Sequence, residues 1–118
     1  MHFDHVSILS VGAIDAPIEV SSADIEERLK PVRDRLGIRS GILENLAGIR
    51  TRRYWPEGVE PSEVATEAAR KALEIADVDP QKIGVVINTS VCRDYIEPST
   101  ACLVHGNLGL SAECMNFD

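Results

Sequence analysis

The stretch Ile83-Gly84-Val85-Val86-Ile87-Asn88-Thr89 decides how the fold is read. It is a short, near-continuous β-branched run, the pattern of a central parallel strand covered on both faces. Downstream, a loop from Ser90 to Glu97 leads to Pro98, expected as the first position of a helix. Ala101, Cys102, Val104, His105 and Leu108 lie along that helix, and Gly109 closes it. Cys114 to Phe117 begins another apolar strand. Upstream, Pro61 opens the clearest helix of the chain. Val64, Ala65, Ala68, Ala69, Ala72, Leu73 and Ala76 form one apolar stripe, with Glu63, Glu67, Arg70, Lys71 and Glu74 opposite. An alanine face lets a helix sit close to a sheet, and Asp77 to Pro80 ends it.

Farther upstream, Gly48 to Trp55 reads as an irregular or edge strand whose arginines keep one face wet. Ser21 or Ser22 offers an N-cap with Asp24 in the first turn, and Ile25, Leu29, Val32 and Leu36 follow at helical spacing to a stop at Gly37. Pro31 falls inside this pattern and either kinks the helix or starts a second one, so two short helical pieces are expected. His5 to Val11 alternates loosely and reads as a first strand ending at Gly12. The order β, α, weak β, α, β, α, β argues an α/β architecture with right-handed crossovers and a mostly parallel sheet. The last strand lacks a helix to cover its outer face, so residues 1–118 are expected to be an incomplete domain.

The 118 residues suffice for one domain, and 44% apolar with 26% charged residues is a soluble globular balance. No apolar run approaches the ~20 residues of a transmembrane segment, and the start lacks a signal-peptide pattern, so a cytoplasmic location is expected. Twelve basic against nineteen acidic residues give a net charge of −7, which argues against nucleic acid as a partner. Arg50, Arg52 and Arg53 cluster within four residues, either to hold an anionic ligand or to line a solvated strand face. Cys92, Cys102 and Cys114 include no Cys-x-x-Cys pair, and the three histidines supply no zinc pattern, so no metal is expected. The thiols are expected to be reduced, with at least two in the core.

Among chemical motifs, no phosphate loop and no Gly-x-Ser-x-Gly elbow occurs. Cys102 and His105 stand three apart on one helix and could pair as nucleophile and base. A nucleophilic cysteine wants a helix N-terminus, however, and Cys102 is already a turn in, which favours packing. The loop Ser90-Val91-Cys92-Arg93-Asp94-Tyr95-Ile96-Glu97-Pro98 lies at the carboxyl end of the most buried strand, where ligands bind in open α/β sheets. Glu97 there is either a helix-capping carboxylate or a general base.

Asn88-Thr89-Ser90, Pro98-Ser99-Thr100-Ala101, Leu108-Gly109-Leu110 and Phe117-Asp118 resemble the N-terminal part of the thiolase superfamily. Ala47-Gly48-Ile49-Arg50-Thr51-Arg52-Arg53 resembles the Gly-Ile-x-x-Arg stretch of its 3-oxoacyl-acyl-carrier-protein synthase III branch. Arg35-Leu36-Gly37-Ile38, Ile87 to Val91 and Arg93 to Thr100 are similar to the OleA group of that branch, which joins two fatty acyl chains head to head in olefin biosynthesis. The resemblance covers essentially the whole chain. It implies the N-terminal portion of a thiolase-like five-layered αβαβα fold, working as a homodimer or with a complementary chain that carries the rest of the fold. It also implies that Glu97 enters the neighbouring subunit's site as the catalytic base. In the family the nucleophilic cysteine follows a few residues after the Phe-Asp, so the chain is expected to stop before it; none of Cys92, Cys102 and Cys114 matches it. Ile42 to Leu46 lacks the family's Trp and Arg for coenzyme A, so those contacts are not carried over.

The complete protein implied is an acyltransferase performing a non-decarboxylative Claisen condensation of two fatty acyl-CoAs to a 2-alkyl-3-oxoacyl product. Acyl-CoA or an acyl-carrier protein delivers the chains, and no permanently bound cofactor is expected. The alternatives are a 3-oxoacyl synthase III that initiates fatty-acid elongation, and a non-catalytic subunit of a heteromeric thiolase-like enzyme. The 118-residue piece by itself is expected to be inactive.

Overall fold

The structure, a computed structural model, describes residues 4–118. It contains two compact units: the chain up to Ile14 together with Gly58–Asp118, and Asp15–Glu57.

The shorter unit is built on strand β1 (Ile18–Ser21), paired antiparallel with β2 (Thr51–Tyr54) in the register Ile18 to Tyr54 and Ser21 to Thr51. Helix α1 (Ser22–Arg28) follows β1 directly. Ser21 is its N-cap, with Asp24 completing a reciprocal capping box. The Ser21 hydroxyl, then its N–H, hold the Asp24 carboxyl below the ordinary value. Pro31 divides the helical pattern as expected: α2 (Lys30–Leu36) starts around it and ends at Gly37 in the left-handed conformation, φ 64°. A third helix, α3 (Ile42–Ala47), was not visible in the apolar pattern and lies between left-handed Gly41 and Gly48.

Glu26 of α1 is buried, 5% exposed, and ties α3 to it. Its carboxylate accepts from the N–H groups of Leu43 (2.8 Å) and Gly41 (2.5 Å) and faces Ser40 Oγ and Arg33 Nη1, each at 3.4 Å. Gly41 and Leu43 bracket the start of α3, where N–H groups have no intrahelical partner. Those N–H bonds, Leu43 first, outweigh desolvation and hold the carboxyl below its ordinary 4.5.

The longer unit contains helix α4 (Pro61–Ala76), a 3-10 turn (Pro80–Lys82), strand β3 (Val85–Ile87), helix α5 (Thr100–Leu108) and strand β4 (Met115–Phe117). Helix α4 begins at Pro61 and ends at left-handed Asp77, as its sequence requires. It packs on α5, with Asn107 Nδ2 donating to Thr66 Oγ1 at 3.2 Å. Strands β3 and β4 pair in parallel, Val85 to Met115 and Ile87 to Phe117. The buried apolar residues here, Ala101, Val104, Leu110 and Cys114, line the inside of α5 and the path to β4.

Four expectations are corrected. His5 to Val11 forms no strand, because a strand needs a hydrogen-bonded neighbour and none flanks it among the described residues; Val6, Ile8, Leu9 and Val11 are exposed. The segment instead runs against the alanine face of α4, where Ser10 Oγ donates to the Ala72 carbonyl (2.7 Å) and Lys71 Nζ to that of Ala13 (2.9 Å). Strand β3 is not covered on both faces: Val85 and Ile87 are exposed and only Val86 is half-buried. Among the described residues parallel pairing is confined to β3–β4, since the pair in the shorter unit is antiparallel. Finally, only Cys114 of the three cysteines is buried; Cys102 points outward from α5 and Cys92 lies on the loop surface.

Among the described residues no helix is long and apolar enough to cross a membrane.

Candidate active site

Both parallel strands deliver their carboxyl ends to one place. There the Asn88 N–H donates to the Phe117 carbonyl (2.8 Å), and the chain leaves β3 into the loop 88–99. Helix α5 starts at Thr100 with Ser99 as N-cap, two residues later than Pro98, the position expected. The Ser99 hydroxyl accepts from the Cys102 N–H at 3.3 Å, which places the first turn after, not at, the proline.

Asp118, immediately after β4, closes the other side of that helix start. Its Oδ2 accepts from the Thr100 N–H (2.9 Å) and its Oδ1 from the Ala101 N–H (2.7 Å). Burial pushes its carboxyl up, but the Ala101 and Thr100 N–H groups, the Asn88 side chain and the Arg93 charge outweigh this and leave it below the ordinary value. The Asp of the Phe-Asp pair is thus a helix cap that binds the end of β4 to the beginning of α5.

This arrangement removes one of the two readings of Glu97. The free N–H groups of α5 are taken by Asp118 and Ser99, so Glu97 is not the cap. Its side chain is exposed and has no hydrogen bond or ion pair among the described residues. The loop around it is apolar and outward: Val91 is 100% exposed, Ile96 87%, and Tyr95 more than half. Among the described residues one hydrogen bond fastens the loop's middle to a helix. Asp94 Oδ1 accepts from the Ser62 N–H, in the first turn of α4, at 3.0 Å. Its other oxygen is buried with no partner. No local pattern announces this contact, because Ser62 and Asp94 are 32 residues apart.

The remaining candidates do not form sites. Arg52 donates to Ser22 Oγ (2.8 Å), while Arg53 donates to the Ala16 carbonyl (3.1 Å) and to Glu19 (3.3 Å). Neighbours on a strand point to opposite faces, so the Arg52 and Arg53 guanidinium groups serve separate structural contacts, while Arg50 is exposed just before β2. His105 Nε2 meets the Ser111 carbonyl at 2.9 Å, and Cys102 Sγ faces Asn116 Nδ2 at 3.9 Å, so the two are not joined as a dyad. Among the described residues, no three His, Cys, Asp or Glu side chains converge as a metal ion requires.

No family model matches the chain. It is 54% identical over all 118 residues to an acyl-CoA:acyl-CoA alkyltransferase of Xanthomonas campestris pv. campestris, of which it covers 35%. Cerulenin-bound OleA of Xanthomonas campestris superimposes with a TM-score of 0.87 at 54% identity, over 98% of this chain and 34% of that one. A 3-oxoacyl-(acyl carrier protein) synthase III of Xanthomonas oryzae pv. oryzae gives 0.89 at 50% identity, over 100% and 35%. The chain therefore spans about a third of the length of the relatives it matches. Along its whole length the chain is similar to the OleA and 3-oxoacyl-acyl-carrier-protein synthase III enzymes, and its fold is that of the matched third of their thiolase-like α/β fold.

Proposed function

We propose that this chain is part of a condensing acyltransferase that joins two fatty acyl-CoAs without decarboxylation, on the way to long-chain olefins. The observation that carries the reading is the 54% identity, over all 118 residues, to an acyl-CoA:acyl-CoA alkyltransferase. In this reading a cysteine outside residues 1–118 attacks the first acyl-CoA, releasing coenzyme A and leaving an enzyme thioester. Glu97 of the neighbouring subunit removes an α-proton from the second acyl-CoA. The carbanion attacks the thioester carbonyl, a C–C bond forms, the C–S bond breaks, and the cysteine thiolate leaves. The product is a 2-alkyl-3-oxoacyl-CoA, and the proton on Glu97 returns to solvent. The protein works in the cytoplasm as a homodimer and needs no resident cofactor. An exposed carboxylate without an internal partner, on an outward apolar loop, is what a base delivered to another subunit requires.

A second reading is favoured by the 0.89 TM-score to a 3-oxoacyl synthase III. In that chemistry loss of CO₂ generates the carbanion, so no loop carboxylate is needed. Full-length protein supplied with acyl-CoA alone separates the two. Formation of the 2-alkyl-3-oxoacyl product, detected by mass spectrometry, supports the first; product only with a malonyl thioester present supports the second. Glu97→Ala is expected to keep acylation of the cysteine and lose condensation by roughly 10²-fold or more, the range of a general base. Unchanged product yield in that variant removes Glu97 from the mechanism.

A further inference from the structure

We propose that Asp94 is the positioning residue for Glu97: it pins the loop to the N-terminus of α4 so that the base is presented from a chain segment fixed at both ends. The inference rests on the reading of Glu97 as the base. Glu97 sits three residues after Asp94 and two before Ser99. Ser99 and Thr100 are held at the start of α5 by the cap and by Asp118. Asp94 is held by Ser62, whose N–H has no intrahelical partner and lies at the positive end of a 16-residue helix. Three residues extend at most about 10 Å, so the two anchors confine the glutamate closely.

Without the Asp94 contact, the nearest upstream anchor is the Asn88 N–H on Phe117. The unfixed run then lengthens from Tyr95–Pro98 to Thr89–Pro98, inside which the Ser90 hydroxyl bond to Cys92 is only local. A longer free run presents the carboxylate over a wider volume, and misplacement of a catalytic group by about 1 Å can cost up to 10²-fold in rate. Elsewhere in the loop the Arg93 charge faces Asp118 without closing an ion pair among the described residues, and Val91, Tyr95 and Ile96 face outward. The partnerless Asp94 oxygen sharpens the test: Asn keeps the acceptor for Ser62 and gives up no second bond.

The experiment uses the full-length protein with Asp94→Ala and Asp94→Asn, beside Glu97→Ala, and reads amide hydrogen exchange, cysteine acylation and condensation. Asp94→Ala is expected to speed exchange across 91–97, to lower condensation about tenfold, and to leave acylation within about twofold; Asp94→Asn should behave nearly as the parent. In the unaltered protein the Ser62 amide should exchange slowly despite its place in the first helical turn, which decides the matter if Asp94→Ala does not fold. A fast-exchanging Ser62 amide, unchanged exchange over 91–97, unchanged condensation, or equal losses in both Asp94 variants overturns the proposal. Normal condensation by Glu97→Ala fails the base reading instead, and is distinguishable because Ser62 protection and loop exchange report the anchor directly.

Discussion

Gly12 shows how little room one residue can leave. A Cβ built there would lie 2.5 Å from the Ala68 carbonyl oxygen and 2.7 Å from the Ala72 nitrogen, both backbone atoms of α4. Backbone cannot rotate away as a side chain can, so Gly12→Ala must push the whole segment off the helix. The expected cost is about 1–3 kcal/mol, seen as a lower Tm of the full-length protein; a melt unchanged from the parent would show that the segment yields freely. Glu26 makes the complementary point for polar groups. Its carboxyl is held below 4.5 in the fold by the Leu43 and Gly41 N–H groups. A depressed folded value contributes stability fully present above the unfolded value and lost as pH falls through the folded one. Glu26→Gln should therefore lower Tm at neutral pH, and the gap to the parent should narrow below pH 4.5, measured by parallel thermal melts. A gap constant with pH would assign the loss to packing rather than charge.

Elements differ in how far their own sequence determines them. Helices α1, α2 and α4 were legible because caps, prolines and apolar stripes are local: Ser21 with Asp24, Pro31, Gly37 and Pro61 all act within a turn. Helix α3 has six residues, too few for a period to register, and exists through its two left-handed glycines and the carboxylate of Glu26. Alternation does not say which run finds a neighbour: Ile18–Ser21 pairs as β1, while His5–Val11 stays unpaired. At the candidate site, the role of Glu97 rests on family likeness, while the loop's place after β3 was legible in the sequence. The anchors were not, since Asp94 and Asp118 act on residues 32 and 18 positions away. Helix α5 depends on such an anchor. Asp118→Ala is expected to free the Thr100 and Ala101 amides and fray the first turn, with faster exchange there and little change at the Gly109 end. Uniform exchange rates along α5 in both proteins would deny Asp118 its capping role.

At the scale of the whole molecule, the balance of apolar surface governs what the chain does alone. In the longer unit Val6, Ile8, Leu9 and Val11 are exposed on the unpaired segment, and Val85, Ile87, Met115 and Phe117 on the parallel strands. An open cleft of about 440 Å³ runs among them, lined by Ile8, Leu9, Ala72, Val85, Val86 and Leu110. Monomeric proteins rarely leave contiguous apolar patches beyond a few hundred Å² in water, and two-stranded sheets present pairing edges to any neighbour. Relatives about three times as long share this fold over the matched third. Residues 1–118 produced alone are therefore expected to bind an apolar dye and to sediment as concentration-dependent oligomers, while the full-length protein binds little dye and gives one discrete species. Segment β3–β4 should be the contact, so Ile87→Lys should reduce self-association of the short chain by interrupting a flat apolar edge with charge. A monomeric, cooperatively melting 118-residue chain that ignores the dye would mean that the two units satisfy their apolar surface by themselves.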